Sequence, residues 1–204
     1  KGVQSMNIID ISRDILDCEI YPGDPEPRVD IIRRIADGSE CNLAALYTGL
    51  HCGTHVDAPL HFIDKGMPID MLPLDAFIGE CTVISVPSGP ITGEYVEKYF
   101  PRSKERILIK GRGRAYFHES AATELSLAGV KLVGTDSLSV GTKGQQTAVH
   151  KAFLREAVAL LEGLNLEEVE DGDYFLIAPP LKIGGVEASP VRALLISDYI
   201  FWSA

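Results

Sequence analysis

The sequence predicts a mixed α/β or α+β domain rather than a regular doubly wound sheet. Strand-like runs outnumber helix-like stretches, and they follow one another in groups. A strand–helix–strand order from Arg106 to Val133 predicts one parallel crossover. No linker divides the 204 residues, so one domain over 1–204 is expected. Lys1 to Ser5, ahead of Met6, read as a candidate expression remnant.

The elements follow in order. Asn7 to Ile11 is an apolar run ending at Ser12 and reads as a first strand. Tyr21 to Pro27 must be loop, because its three prolines and a glycine cannot sit inside a helix. Val29 to Ile35 is β-branched and reads as a strand, and Leu43 to Leu50 as another. Cys81 to Val86 is the clearest buried strand, bounded by Gly79 and Pro87. Thr92 can cap a short helix to about Tyr99, with Pro101 just beyond. Arg106 to Lys110 is a strand, Glu119 to Ala128 a helix stopped by Gly129, and Val130 to Val133 a strand. Tyr174 to Ala178 and Val191 to Ser197 are late strands.

Composition narrows the function. Hydrophobic residues make up 46% and charged residues 24%, as in an ordinary globular protein. The net charge of −10 argues against nucleic acid and against an anionic membrane surface as partners. No apolar run is long enough to span a bilayer. The four cysteines form no Cys-x-x-Cys pair and are too sparse for a disulfide framework, which fits a reducing cytoplasm. Neither a Gly-x-Ser-x-Gly elbow nor a phosphate loop is present.

The chemistry concentrates in His51 to His61. Three of the five histidines fall there with an aspartate among them, in the pattern His-x3-His-x-Asp-x3-His. Imidazole and carboxylate are ligand types for zinc, manganese and iron. Gly53, Thr54, Val56 and Pro59 oppose a helix through this stretch. In an extended stretch His55 and Asp57 point to the same side. Gly53 permits a turn that folds His51 back, and Pro59 fixes a second bend before His61. Cys52 is either a soft ligand or, if locally extended, a small filler pointing away. Phe62 packs either near the site or in the core.

His51-x-Gly-Thr-His55-x-Asp57-x-Pro-x-His61-Phe62 resembles the signature of the cyclase-like metal hydrolases. That family includes bacterial kynurenine formamidase (arylformamidase) and isatin hydrolase. Ile9 to Ser12, Tyr21 to Pro25, Gly129 to Ser137, His150, Glu162 to Leu166 and Pro180 to Ile183 match it in the same order. The resemblance implies mixed β-sheets in a β/β/α swivelling-type or barrel-like core with flanking helices. It implies that His51, His55 and Asp57 hold one metal. His61, His150 and Glu162 would hold a second, with Asp57 bridging. It also implies one or two divalent ions per chain, zinc before manganese, with His61 and Glu162 as catalytic proton carriers.

Carrying over His150 and Glu162 makes a physical demand. On one continuous helix they would lie about 18 Å apart, at about 1.5 Å per residue. The helix must therefore break near Arg155 or Glu156, and Ala157 to Glu162 must return as a strand. Taken alone, His150 reads equally as a surface residue at a helix start, and Glu162 as a solvated charge. His118 is unmatched and reads as a surface or cap residue, and Asp136 as either a ligand support or a turn residue. The chain departs from the family at Ala188-Ser189-Pro190-Val191-Arg192, where relatives tend toward Gly-Ala-Pro-Ala-Arg.

The activity implied is metal-assisted attack of water on a formamide or amide carbonyl. N-formylkynurenine is the first substrate, and a cyclic amide, imide or lactam of the isatin kind the second. A non-catalytic, metal-stabilised binding protein is the alternative of another class. The partners implied are a small-molecule substrate and further copies of the chain, in a dimer or tetramer. The loop from Tyr21 to Pro27 is a candidate for reaching a partner's site.

Overall fold

A computed structural model describes residues 6–198. Lys1 to Ser5, and with them the remnant reading, lie outside the described residues. The strands are β1 (Asn7–Asp10), β2 (Arg28–Arg33), β3 (Leu43–Tyr47), β4 (His55–Asp57), β5 (Ile78–Ser85), β6 (Gly89–Ile91), β7 (Arg106–Lys110), β8 (Ala115–Phe117), β9 (Leu132–Thr135), β10 (Ala159–Glu162), β11 (Gly172–Ile177), β12 (Ala188–Pro190) and β13 (Leu194–Ser197). The helices are α1 (Gly93–Tyr99), α2 (Glu119–Leu127) and α3 (Gln146–Arg155).

Nine strands form one sheet in the order β1-β13-β11-β5-β7-β9-β10-β4-β12. Its middle, β5, β7, β9 and β10, is parallel, and the flanks are antiparallel. The sheet curls into a half-barrel, the mixed and barrel-like α/β core that the sequence implies. The crossover from Arg106 to Val133 is parallel, with Ile107 opposite Val133.

Alternation along the central strands feeds two cores. Leu108, Leu132 and Leu161 enter the cluster on the face carrying Val56 and Leu176. Ile107, Ile109, Val133 and Leu160 enter the cluster with Leu125, Phe153 and Leu154 of the helices. Each such side chain stabilises the fold by about 1.5–3 kcal/mol on burial. Thr92 caps α1 by accepting from Tyr95 N–H at 3.3 Å.

Several boundaries differ from the sequence reading. The strand expected to begin at Val130 begins at Leu132, because Val130 N–H still donates to Leu125 O and closes α2. The strand expected to reach Ile35 ends at Arg33 after an irregularity in pairing, where a 3-10 turn starts. The one expected to reach Leu50 ends at Tyr47. The late strand begins at Leu194 rather than Val191, whose N–H instead donates to Thr54 O.

The break demanded between His150 and Glu162 is present. α3 stops at Arg155, and Ala157 turns the chain with φ of 56°. Val158 N–H donates back to Phe153 O, and Ala159 N–H joins the sheet through Lys131 O. β10 then runs parallel to β9 and antiparallel to β4, which sets Glu162 opposite His55. Immediately after it, Gly163 has φ of 69°, and a Cβ there would meet Gly53 O at 2.4 Å. Only glycine lets the end of β10 approach the turn before β4 so closely.

Gly163→Ala should therefore lower stability by about 3 kcal/mol, from the left-handed backbone and the overpacking together. In thermal denaturation that reads as a fall in Tm of roughly 6–12 °C for a chain of this size. A fall under about 2 °C would mean that the two backbones separate freely.

Candidate metal centre

The segment from His51 is an extended turn, as its glycine and proline require. Gly53 has φ of 66°, β4 follows, and Pro59–His61 forms a single 3-10 turn. Thr54 fastens the start of β4, donating to Gly163 O at 2.7 Å and accepting from Arg13 N–H at 2.8 Å. β10 pairs on one side of β4 and β12 on the other, so the departing segment Ala188–Pro190 is the strand that brackets Asp57.

Five elements thereby bring all six expected ligands together. Asp57 is 0% exposed, and four imidazoles surround its carboxylate. His51 Nδ1 lies 2.9 Å from Oδ1 and His55 Nε2 3.6 Å from it. His150 Nε2 and His61 Nε2 lie 3.6 and 3.9 Å from Oδ2. Glu162 sits 3.4 Å from both His55 Nε2 and His150 Nε2. His55, His150 and Glu162 are buried, whereas the side chains of His51 and His61 keep 20% and 26% of their exposure and face the cavity. Candidate ligand atoms within 4.8 Å of one another form two sets, His51–Asp57–His61 and His55–Asp57–Glu162, with Asp57 in both.

Hydrogen bonds settle which ring nitrogens face inward. His55 Nδ1 lies 3.1 Å from Gly53 O, and His150 Nδ1 lies 2.8 Å from Gln146 O. A carbonyl only accepts, so each Nδ1 donates and each Nε2 faces the carboxylates. Val140 N–H donates to Glu162 Oε1 at 2.7 Å. Phe62 lies tilted over His150 at 4.4 Å and edge-on to His61 at 4.3 Å between ring centres, so it packs at the site.

Burial alone would lower the pKa of His55, but Glu162 and Asp57 outweigh it and raise the value to about 9. His150 is raised for the same reasons. Burial would raise Glu162, yet His150 and His55 hold it well below the usual carboxylate range. His61 is lowered, by burial first and then by its imidazole neighbours.

The donor set fits a cation on one observation above others. Among the described residues, both oxygens of the buried Asp57 carboxylate lack a hydrogen-bond partner. His51 comes within 2.9 Å of Oδ1 but not along a hydrogen-bond direction. A buried carboxylate left in that state is costly, and positive charge at both oxygens relieves it.

The open readings of neighbouring residues resolve. Cys52 is buried and points away, its Sγ 3.6 Å from Cys18 Sγ. His118 is the N-cap of α2, accepting from Ser120 N–H. Asp136 ties a turn, with Oδ1 accepting from Gly111 N–H at 3.1 Å. The cavity beside the imidazoles is about 190 Å³, and Tyr21, Asp24, Leu138, Ser139 and Gln146 complete its wall. The sequence marks Tyr21 to Pro27 as a loop and as a candidate for reaching a partner's site, whereas Tyr21 and Asp24 line the cavity of their own chain. A larger cavity of about 700 Å³, lined by Arg13, Thr54 and Arg192 among others, holds none of the histidines.

Comparison with known proteins agrees with this geometry. Residues 9–142 match the Cyclase family. Kynurenine formamidase of Salinibacter ruber is 38% identical, with 93% of this chain and 97% of that protein covered. A solved structure of a potential metal-dependent hydrolase with cyclase activity superposes with a TM-score of 0.82 at 26% identity, covering 96% of this chain and 100% of the other. Isatin hydrolase A from Labrenzia aggregata superposes with a TM-score of 0.80 over 94% and 93% of the two chains, but at 21% identity that likeness is one of fold. On the family match, the near full-length relative and the shared fold together, this chain belongs to the Cyclase family.

Proposed function

We propose that the chain is a metal-dependent hydrolase of formamide C–N bonds, an arylformamidase converting N-formylkynurenine and water to kynurenine and formate. The unpartnered buried carboxylate of Asp57 among four imidazoles carries the metal half of this reading. The substrate half is supported by identity to a kynurenine formamidase over nearly the whole of both chains.

His51, His55 and Asp57 are proposed to hold one ion and His61, His150 and Glu162 a second, with Asp57 shared; by proximity alone Asp57 groups with His51 and His61 on one side and with His55 and Glu162 on the other. Zinc is the proposed ion and manganese the alternative, because the donors are imidazole and carboxylate without a thiolate. When bound, a divalent ion supplies Lewis acidity toward water and toward the carbonyl. The protein supplies orientation and proton transfer. Gly53 O and Gln146 O fix the imidazoles of His55 and His150, and Val140 N–H fixes Glu162. The C–N bond breaks as a C–O bond to water forms, and His61 or Glu162 carries the water's proton to the leaving amine. Phe62 shields two of the rings from solvent.

The finer assignments are part of the same proposal. The whole chain, 1–204, forms one domain. A cytoplasmic location is supported by cysteines that are all free thiols among the described residues. Among those residues no helix is long and apolar enough to cross a membrane. Assembly as a dimer or tetramer is supported by the β2–β3 hairpin. Val29, Ile31 and Leu46 share one of its faces and are 41%, 51% and 54% exposed. A two-stranded hairpin with an uncovered apolar face is marginal in water by itself. The loop from Tyr21 to Pro27 contributes Tyr21 and Asp24 to the cavity of its own chain.

Metal-stripped protein should take up one or two zinc ions per chain, and His55→Ala should lower formamidase activity by about 100-fold or more. If purified protein holds no stoichiometric metal and His55→Ala changes neither stability nor activity, the proposal fails. N-formylkynurenine should be turned over faster than isatin, and the reverse order would move the assignment to a cyclic amide.

Calorimetry in buffers of different ionisation enthalpy should show proton release when zinc binds near pH 7.5. His55 is raised to about 9 without metal, so it is protonated there and must lose that proton to ligate. Zinc affinity should accordingly weaken as pH falls, by about tenfold per unit for each proton expelled. Binding without proton release would take His55 out of the ligand set.

Light scattering should give a mass of two or four chains. Ile31→Glu combined with Leu46→Glu should shift it toward one chain, and an unchanged mass would place the contact elsewhere.

A further inference from the structure

The cavity wall formed by residues 21–24 carries a carboxylate that the hydrolytic chemistry does not use. Tyr21-Pro22-Gly23-Asp24 is a reverse turn closed by Asp24 N–H donating to Tyr21 O at 3.0 Å. Proline at the second position and a positive φ at the third, 105° at Gly23, make the type II pattern. The turn is pinned from its other end by the Tyr21 hydroxyl, which donates to Gln146 Oε1 at 2.9 Å. Gln146 opens α3, the helix that carries His150. The turn is thus registered against the metal centre through one short linkage.

Asp24 is half-buried and lines the cavity together with His51, His61 and His150. Its carboxylate has no hydrogen bond or ion pair to any described residue, and it belongs to neither set of candidate ligand atoms. Among the described residues, no lysine or arginine lines this cavity. A carboxylate held there on a fixed turn makes no ion pair with a described residue, and a bound ammonium can make one. Phe62 and Leu138 form an apolar part of the same wall, suited to an aromatic ring.

We propose that Asp24 is a specificity residue that receives a substrate's ammonium group. The substrate class is then an aryl formamide bearing a protonated amino group, rather than any aryl formamide. This rests on the formamidase reading above and narrows it. The α-ammonium of N-formylkynurenine has the required charge, whereas formanilide offers the same scissile group without it.

The test compares kcat/KM for N-formylkynurenine and formanilide in the metal-loaded wild type and Asp24→Asn, with Asp24→Glu as the conservative variant. Kynurenine binding to the same three proteins is measured by calorimetry. Asp24→Asn should lower kcat/KM for N-formylkynurenine at least tenfold more than for formanilide, mainly through KM. It should weaken kynurenine binding by a similar factor, and Asp24→Glu should recover part of both. Equal losses on the two substrates, or no loss on either, overturn the assignment while leaving the formamidase reading intact. A wild type that cleaves neither substrate yet binds kynurenine through Asp24 keeps the subsite and removes the formamidase reading. A wild type that does neither removes both.

Discussion

The structure turns on one buried charge. Asp57 lies on a three-residue strand with no access to water, and its oxygens receive no hydrogen bond from any described residue. An anion in that position destabilises the fold by several kcal/mol unless positive charge meets it. Four imidazoles converge on it, and each reaches it by a different local device: a turn for His51, the strand itself for His55, a 3-10 turn for His61 and a helix face for His150. Without metal, the pKa of about 9 at His55 describes a proton standing where an ion is proposed to bind, and the same carboxylates raise His150.

That arrangement holds because β4 is clamped on both edges. Its three residues pair with β10 and with β12, and Thr54 adds a side-chain hydrogen bond to Gly163 O. A strand so short has little intrinsic stability, so its position comes from these neighbours. The same pairing delivers Glu162 opposite His55. Secondary structure and ligand placement are therefore one constraint rather than two.

Much of this was legible because restricted residues announce themselves. Gly53, Pro59 and the β-branched neighbours of His55 mark the segment as extended in the sequence itself. The break after α3 was legible only as a requirement. It occurs at Ala157, which adopts a left-handed conformation without being glycine, so composition carries no mark of it. Tertiary pairing of β10 with β9 and β4 overrides local preference there. In the sequence Arg106 marks only the start of a strand. Its guanidinium is buried and donates to the carbonyls of Ala76 and Asp75 and to Glu80 O, partners about thirty residues away that periodicity cannot reveal. β9 starts two residues beyond Val130, the start that the sequence predicts, because Val130 serves the preceding helix.

The centre and its cavity draw on different kinds of backbone. Three of the six proposed ligands, His55, Asp57 and Glu162, stand on paired strands, and His150 on a helix packed against the sheet. Tyr21, Asp24, Leu138 and Ser139 stand on connections with no ladder to maintain. Substitutions in those connections can reshape what enters the cavity at little cost to the inner ligands, whose positions the sheet holds. Such a scaffold lets the choice of substrate drift over generations while the hydrolytic apparatus is inherited unchanged.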